Sequence, residues 1–264
     1  EIESYHKVIP TGEEKRLFLE LKKRSLHSLR NSTQRYLYMK KMLDRLLCAS
    51  ILPSCVPLHY YSEIVSVNIG SRSISQMVDL MGTSTYDNTV KQMLQKIESE
   101  NCSICLDMLK NPTITKCRHI YCHDCIVTHM KHSKELCYCP QCRQIITANT
   151  LTILENNAAW ENGDTYHFTD FLGRNCKMSN SIKRLHGTIK TSSKINKLDQ
   201  IVNSTNENIV IFSQFTSVLQ VLQEKYKSAA MIIGSTPRKK RILALNNFQE
   251  KKTKIFLLSV HCAS

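Results

Sequence analysis

Residues 102–143 carry the reading that decides the fold: Cys102-Ser103-Ile104-Cys105, then Cys117-Arg118-His119, then Cys122-His123-Asp124-Cys125, then Cys139-Pro140-Gln141-Cys142-Arg143. The order is C-x2-C, C-x-H, C-x2-C, C-x2-C. Zinc takes four soft or borderline ligands in a tetrahedron, and a two-residue gap lets both sulfurs of a knuckle turn toward one ion. Cys102, Cys105, Cys117, His119, Cys122, Cys125, Cys139 and Cys142 would fill two closed sites, which is structural coordination. A stretch of about 40 residues cannot build a sufficient core, so metal binding must supply much of the folding free energy. Inert buried thiols or a redox pair are the plainer alternative, and four ligand pairs in this order favour zinc over both. Two slots have competitors. Cys137 stands beside Cys139, although only Cys139 makes C-x2-C with Cys142, and His123 competes with His119. Cys48, Cys55, Cys176 and Cys262 read as core or surface thiols.

Outward from that block, the chain has 264 residues, 42% hydrophobic and 22% charged. That is too apolar for a disordered tail and long enough for two domains. No apolar run approaches the roughly 20 residues of a membrane-spanning helix, so no membrane partner is expected. Glu1-Ile2-Glu3-Ser4 offers neither a basic nor an apolar leader, which gives secretion no support. Without an initiator Met, the chain reads as an excerpt of something longer. Paired cysteines without a secretory signal imply a reducing compartment, nucleus or cytosol.

The net charge is +14, which favours an acidic partner such as nucleic acid without choosing a fold. Most of the surplus lies in residues 173–264, with 16 basic and 4 acidic side chains, behind an acidic stretch at 151–172. Residues 13–50 have helical spacing through Leu17, Leu21, Met39, Leu43, Leu46 and Leu47. Residues 62–86 read as loop with short helix, 88–99 as a helix leading into Cys102, and 151–192 as linker with some helix. From 194 the pattern changes. Asn208–Phe212, Ala229–Ile233 and Ile255–Val260 are short apolar runs separated by helical spacing at 216–227 and by a helix opening at Pro237. Strand, helix, strand, helix, strand predicts a parallel sheet with helical crossovers.

The cysteine block resembles the RING finger over residues 102–143. The resemblance implies interleaved sites, with Cys102, Cys105, Cys122 and Cys125 on one zinc and Cys117, His119, Cys139 and Cys142 on the other. It implies docking of a ubiquitin-conjugating enzyme charged with ubiquitin, and transfer of that ubiquitin to a lysine. Ile104 matches the apolar docking residue, Pro140 the proline of the second docking loop, and Ile126 joins them as a partner-binding candidate. Arg143 matches the cation that bridges conjugating enzyme and ubiquitin, the catalytic residue of this set, because its planar fork can donate to two carbonyls at once. The chain departs from the pattern at His129, where many active members have tryptophan.

The last third resembles the second RecA-like lobe of Swi/Snf-type DNA-dependent ATPases. Ser192-Ser193-Lys194-Ile195-Asn196-Lys197-Leu198 looks like that lobe's opening helix, and Ile209 to Thr216 like its fourth helicase motif. Gly234-Ser235-Thr236, Arg241 and Phe248 look like the family's G-S/T…R…F pattern. Parallel sheets hold ligands at the carboxyl ends of their strands, so Ser213, Gln214 and Thr236 become candidate DNA contacts, and the resemblance adds Arg241. Tyr5–Phe18 resembles the exit from a first lobe and Met42–Cys48 the helix before a RING insertion, the arrangement of postreplication-repair ubiquitin ligases. By this resemblance the chain is nuclear. No G-x4-G-K-[ST], acidic magnesium box or arginine-bearing sixth motif is present. ATP and magnesium would therefore serve only a complete motor, and the chain is not expected to hydrolyse ATP alone.

The expected architecture is mixed α and α/β: a helical N-terminal segment, a zinc-stabilised RING finger and a partial RecA-like α/β lobe. Its divisions are 1–100 (end of a first lobe and helical linker), 101–146 (RING finger), 147–190 (linker) and 191–264 (partial second lobe). The expected function is ubiquitin ligation on or near DNA-bound proteins. The alternative is a non-enzymatic DNA-associated scaffold with a phosphate-binding face at Lys239, Lys240, Arg241, Lys251, Lys252 and Lys254.

Overall fold

The computed structural model describes residues 4–30, 35–67, 96–97, 100–133, 136–154, 157–170 and 174–262. The expectations for residues 68–86 and for a helix over 88–99 lie outside these, apart from helical residues 96–97.

The leucine spacing near the N-terminus forms α1 (Gly12–Arg30) and α2 (Arg35–Ile51). Thr11 and Glu14 start α1 as a capping box: the Glu14 N–H donates to Thr11 Oγ1 at 3.2 Å and the Thr11 N–H to Glu14 Oε2 at 3.3 Å. Leu17 and Leu21 are fully buried, whereas Met39, Leu43 and Leu47 face outward. The stripe of α2 that reaches the core holds Arg45, Cys48 and Ala49 instead. After two short 3₁₀ turns the chain enters β1 (Glu63–Val67).

The finger follows. It contains β2 (Pro112–Ile114), β3 (Ile120–Cys122), α3 (His123–Lys131), β4 (Cys137–Tyr138), β5 (Ile145–Ile146) and β6 (Thr152–Ile153). Strands β3, β2 and β6 form one small sheet, and β4 and β5 form another.

The segment read as linker is a sheet. Strands β7 (Asn157–Asn162), β8 (Thr165–Thr169) and β9 (Arg174–Ser179) run antiparallel, and β9 pairs with β1 to give the order β1-β9-β8-β7. β1 precedes the finger and β9 follows it, so the pairing ties the two ends of the inserted region together. The sequence reading missed this sheet because the face it turns to the core holds little more than Tyr166, Phe168, Cys176 and Met178 among polar neighbours, and one of its three pairings, β1 with β9, is long-range. One local signal was there: Asn162 pairs with Thr165 across a two-residue loop, with Gly163 at φ 56°. Tight hairpin loops demand that positive φ.

α4 (Asn180–Thr188) packs on this sheet. α5 (Ser193–Ser204) opens the last region, capped by Ser192, whose hydroxyl accepts from the Ile195 N–H at 3.2 Å. β10 (Ile209–Ser213), α6 (Thr216–Lys225), β11 (Ala230–Ile232), α7 (Arg238–Gln249) and β12 (Ile255–Ser259) then alternate as expected. The three strands are parallel in the order β10-β12-β11. One buried core joins α1, α2, the antiparallel sheet and this lobe, while the finger has its own.

Candidate metal centre

The first and last knuckles, Cys102–Cys105 and Cys139–Cys142, are built by the same backbone turn. The Leu106 N–H donates to the Cys102 carbonyl at 2.7 Å, and the Arg143 N–H donates to the Cys139 carbonyl at 2.9 Å. Leu106 and Arg143, each just after the second cysteine of its pair, adopt left-handed φ values of 63° and 61°. A non-glycine residue there costs roughly 1–2 kcal/mol, a strain that a metal bound to the cysteines would hold in place.

The eight candidate ligands gather into two groups: Cys102, Cys105, Cys122 and Cys125, and Cys117, His119, Cys139 and Cys142. Within each group the ligand atoms lie within 4.8 Å of one another. A zinc tetrahedron with Zn–S of about 2.3 Å and Zn–N of about 2.0 Å has edges of about 3.8 Å between sulfurs and about 3.5 Å between sulfur and nitrogen. Cys105 Sγ and Cys122 Sγ are 4.0 Å apart. His119 Nδ1 is 3.4 Å from Cys117 Sγ and 3.5 Å from Cys139 Sγ. The residues fit zinc, and Nδ1 is the imidazole atom turned to it.

The surroundings supply donors to the sulfurs. The Cys122 N–H reaches Cys102 Sγ at 3.4 Å, and the Lys110 N–H reaches Cys122 Sγ at 3.2 Å. The Tyr121 hydroxyl lies 3.0 Å from Cys139 Sγ, and Thr115 Oγ1 lies 3.0 Å from Cys117 Sγ. Such donors orient ligands and stabilise thiolates. Hydrogen bonding from Cys105, Cys122 and Cys125 pulls Cys102 far below the ordinary thiol value. Burial, then the charge of Lys96, lowers His119 and favours the neutral ring that a metal requires.

Both competing ligands have other roles. Cys137 sits in β4 opposite Ile146, and His123 Nδ1 lies 3.3 Å from Thr113 Oγ1. Cys48 and Cys55 are buried thiols, pushed upward chiefly by burial, Cys55 to about 11. Cys176 is likewise buried and Cys262 half-buried.

Of the partner-binding candidates, Pro140 and Arg143 are exposed and Ile104 is half-buried. Ile126 is 0% exposed and belongs to the finger's core, so it supports the surface from beneath instead of lining it. His129, at the departure from the family pattern, has Nε2 2.9 Å from the Tyr138 carbonyl oxygen and so ties α3 to the second knuckle.

Of the candidate DNA contacts, Ser213 ends β10, Gln214 and Thr236 lie in the turns after β10 and β11, and Arg241 lies in α7; most are already engaged within the chain. Ser213 Oγ accepts from the Phe215 N–H at 3.1 Å. Thr236 Oγ1 accepts from the Ile233 N–H at 3.0 Å. Arg241 donates to the carbonyl oxygens of Thr236, Ile233 and Gly234 at 2.8, 3.3 and 3.1 Å. Gln214 is exposed. In the proposed basic face, Lys239, Lys240 and Lys251 are exposed, and Lys252 pairs with Glu250 at 2.5 Å. Lys254 turns inward to the carbonyl oxygens of Val202 and Thr205 at 2.9 and 2.5 Å. Among the described residues, no helix is long and apolar enough to cross a membrane.

Comparison with known proteins adds two family matches. Residues 101–142 match the family described as "Zinc finger, C3HC4 type (RING finger)". Residues 193–264 match "Helicase conserved C-terminal domain". The "Helicase-like transcription factor" of Oryctolagus cuniculus is 25% identical over 233 residues, covering 77% of this chain and 21% of that protein. Its namesake in Homo sapiens is 27% identical over 198 residues, covering 68% and 18%. "DNA repair protein RAD5B" of Arabidopsis thaliana is 28% identical over 177 residues, covering 66% and 12%. The chain thus spans between 12% and 21% of the length of these relatives.

Proposed function

From a RING finger followed in one chain by a helicase C-terminal segment, we propose that this protein acts as a RING-type ubiquitin ligase of the Swi/Snf-type DNA translocase kind. It would work on or near DNA-bound proteins in the nucleus. The observation that carries the reading is the pair of four-residue ligand groups, gathered closely enough for zinc, together with the shared turn geometry of the knuckles that bear Ile104 and Pro140. When bound, the two ions supply closure of these loops and no chemistry of their own.

The mechanism is positioning. Ile104 and Pro140 would dock the conjugating enzyme. Arg143, exposed at the end of the second knuckle, would donate to carbonyls of enzyme and ubiquitin together and hold the thioester for attack by a substrate lysine. Holding reactants in a near-attack geometry lowers the barrier without a nucleophile or base from this chain. His129, bonded to the Tyr138 carbonyl, stiffens the second loop from the helix side. Support for the DNA setting comes from the net charge of +14 and from the names of the relatives, one of them a DNA repair protein.

Ubiquitin chains formed with a suitable conjugating enzyme should fall at least about tenfold, the factor of one charge-assisted hydrogen bond, in Arg143→Ala. Ile104→Ala should do the same, and both variants should keep two zinc ions per chain by elemental analysis. Undiminished chains in both variants would leave a scaffold as the better reading.

A further inference from the structure

Asp107 is an acidic residue that the ligand spacing does not explain. It lies two positions after Cys105 and is 4% exposed. Its Oδ2 accepts three hydrogen bonds from the first turn of α6: from Thr216 Oγ1 at 2.9 Å, the Ser217 N–H at 3.0 Å and Ser217 Oγ at 3.1 Å. Its Oδ1 accepts from the Met108 N–H at 2.7 Å. Its own carbonyl accepts from the N–H of Cys102, a zinc ligand, at 3.0 Å. Helix α6 begins after Phe215, which has no side-chain acceptor to offer. The acceptor that its free N–H groups need comes from the finger, 110 residues before Ser217.

Two further contacts join the same segment to the lobe. Met108 is buried in the main core and not in that of the finger. Gly234 lies so close to the first knuckle that a β-carbon there would stand 2.1 Å from the Ile104 carbonyl oxygen. The turn bearing Gly234 is the one braced by Arg241.

We propose that the helicase lobe shapes the docking knuckle of the finger. Asp107 and Met108 pin one end of residues 102–108 into the lobe, and Gly234 seats the middle at Ile104. The knuckle therefore moves as one body with the carboxyl ends of β10 and β11. Asp107 is a positioning residue in this arrangement. The consequence for ubiquitin transfer rests on the ligase reading above, whereas the mechanical coupling stands apart from it.

Hydrogen exchange of the full zinc-loaded chain tests the coupling. In Asp107→Asn, the amides of Ser217 to Leu219 should exchange at least about tenfold faster, as expected when hydrogen bonds to a charged group are lost. In Gly234→Ala, the amides of 104–107 should accelerate although Asp107 is intact. Ser217→Ala, which leaves the Gly234 contact untouched, should also accelerate the Leu106 amide. Residues 139–143 should be unchanged in all three. Acceleration confined to each variant's own segment would overturn the coupling. The ligase assay is read separately: Asp107→Asn should raise the half-saturating concentration of charged conjugating enzyme several-fold while sparing the maximal rate. If the wild type forms no chains yet the exchange is coupled, the ligase reading fails and the coupling stands. If the wild type forms chains and the exchange is uncoupled, the coupling fails alone.

Discussion

Arg241 donates to three carbonyl oxygens of one turn, so its guanidinium is part of the lobe's own frame. Arg241→Ala should lower the stability of the chain by about 1.5–3 kcal/mol, the range for hydrogen bonds to charged groups, as read from denaturant midpoints. A side chain serving DNA alone would leave stability intact and reduce only the salt slope of DNA binding. Histidines set a second expectation. His59 is held well below 6.5 by burial, then by Arg174 and Arg45. His186 is lowered by burial while its Nε2 bonds the Val56 carbonyl at 2.8 Å. Both take up a proton less readily in the folded chain than in the unfolded one, which protonates them as pH falls through 6.5. Their contribution is complete above that value and is lost below it. With zinc saturating, the guanidinium midpoint should fall between pH 7.5 and 5.5 (about two units spanning the reference histidine value), and less steeply in His186→Gln. A midpoint that is flat with pH would contradict this. At this scale the two cysteine and histidine groups were legible, because cysteine spacing is a local signal. Asp107 was not, because its partners are more than a hundred residues away and nothing in Leu106-Asp107-Met108 announces them.

Elements divided along the same line. The strands of the parallel sheet were legible as β-branched runs bounded by helical spacing, and they appear within a residue or two of the expected limits. The antiparallel sheet was not, since its core-facing side is only a few residues deep, Tyr166 and Phe168 on β8 and Cys176 and Met178 on β9, and β1 lies far upstream. Asp170 anchors that sheet. It is fully buried, accepts from Arg174 Nε at 2.7 Å and from the Arg174 N–H at 3.0 Å, and so fixes how β8 leads into β9. Asp170→Ala would leave the largely buried guanidinium of Arg174 without this carboxylate, and breaking a buried pair from one side costs about 3–5 kcal/mol. Thermal unfolding should show a correspondingly lower midpoint; an unchanged midpoint would mean that the pair is not holding the sheet.

Across the whole molecule, two cores meet at Met108 and Asp107. Removing zinc should unfold the finger, whose small core cannot stand alone, and leave the main core folded. Chelation should therefore abolish exchange protection in the finger and at Ser217, while β8 and β9 remain protected. Loss of protection throughout would show that the finger is integral to the main core. The pairing of β1 with β9 also sets an order of events on the ribosome. At about 5–20 residues per second, β1 emerges several seconds before any residue of β9 exists to receive it. Through that interval β1 is an edge without its partner strand, open to chaperones and to neighbouring nascent chains until β9 arrives to cover it.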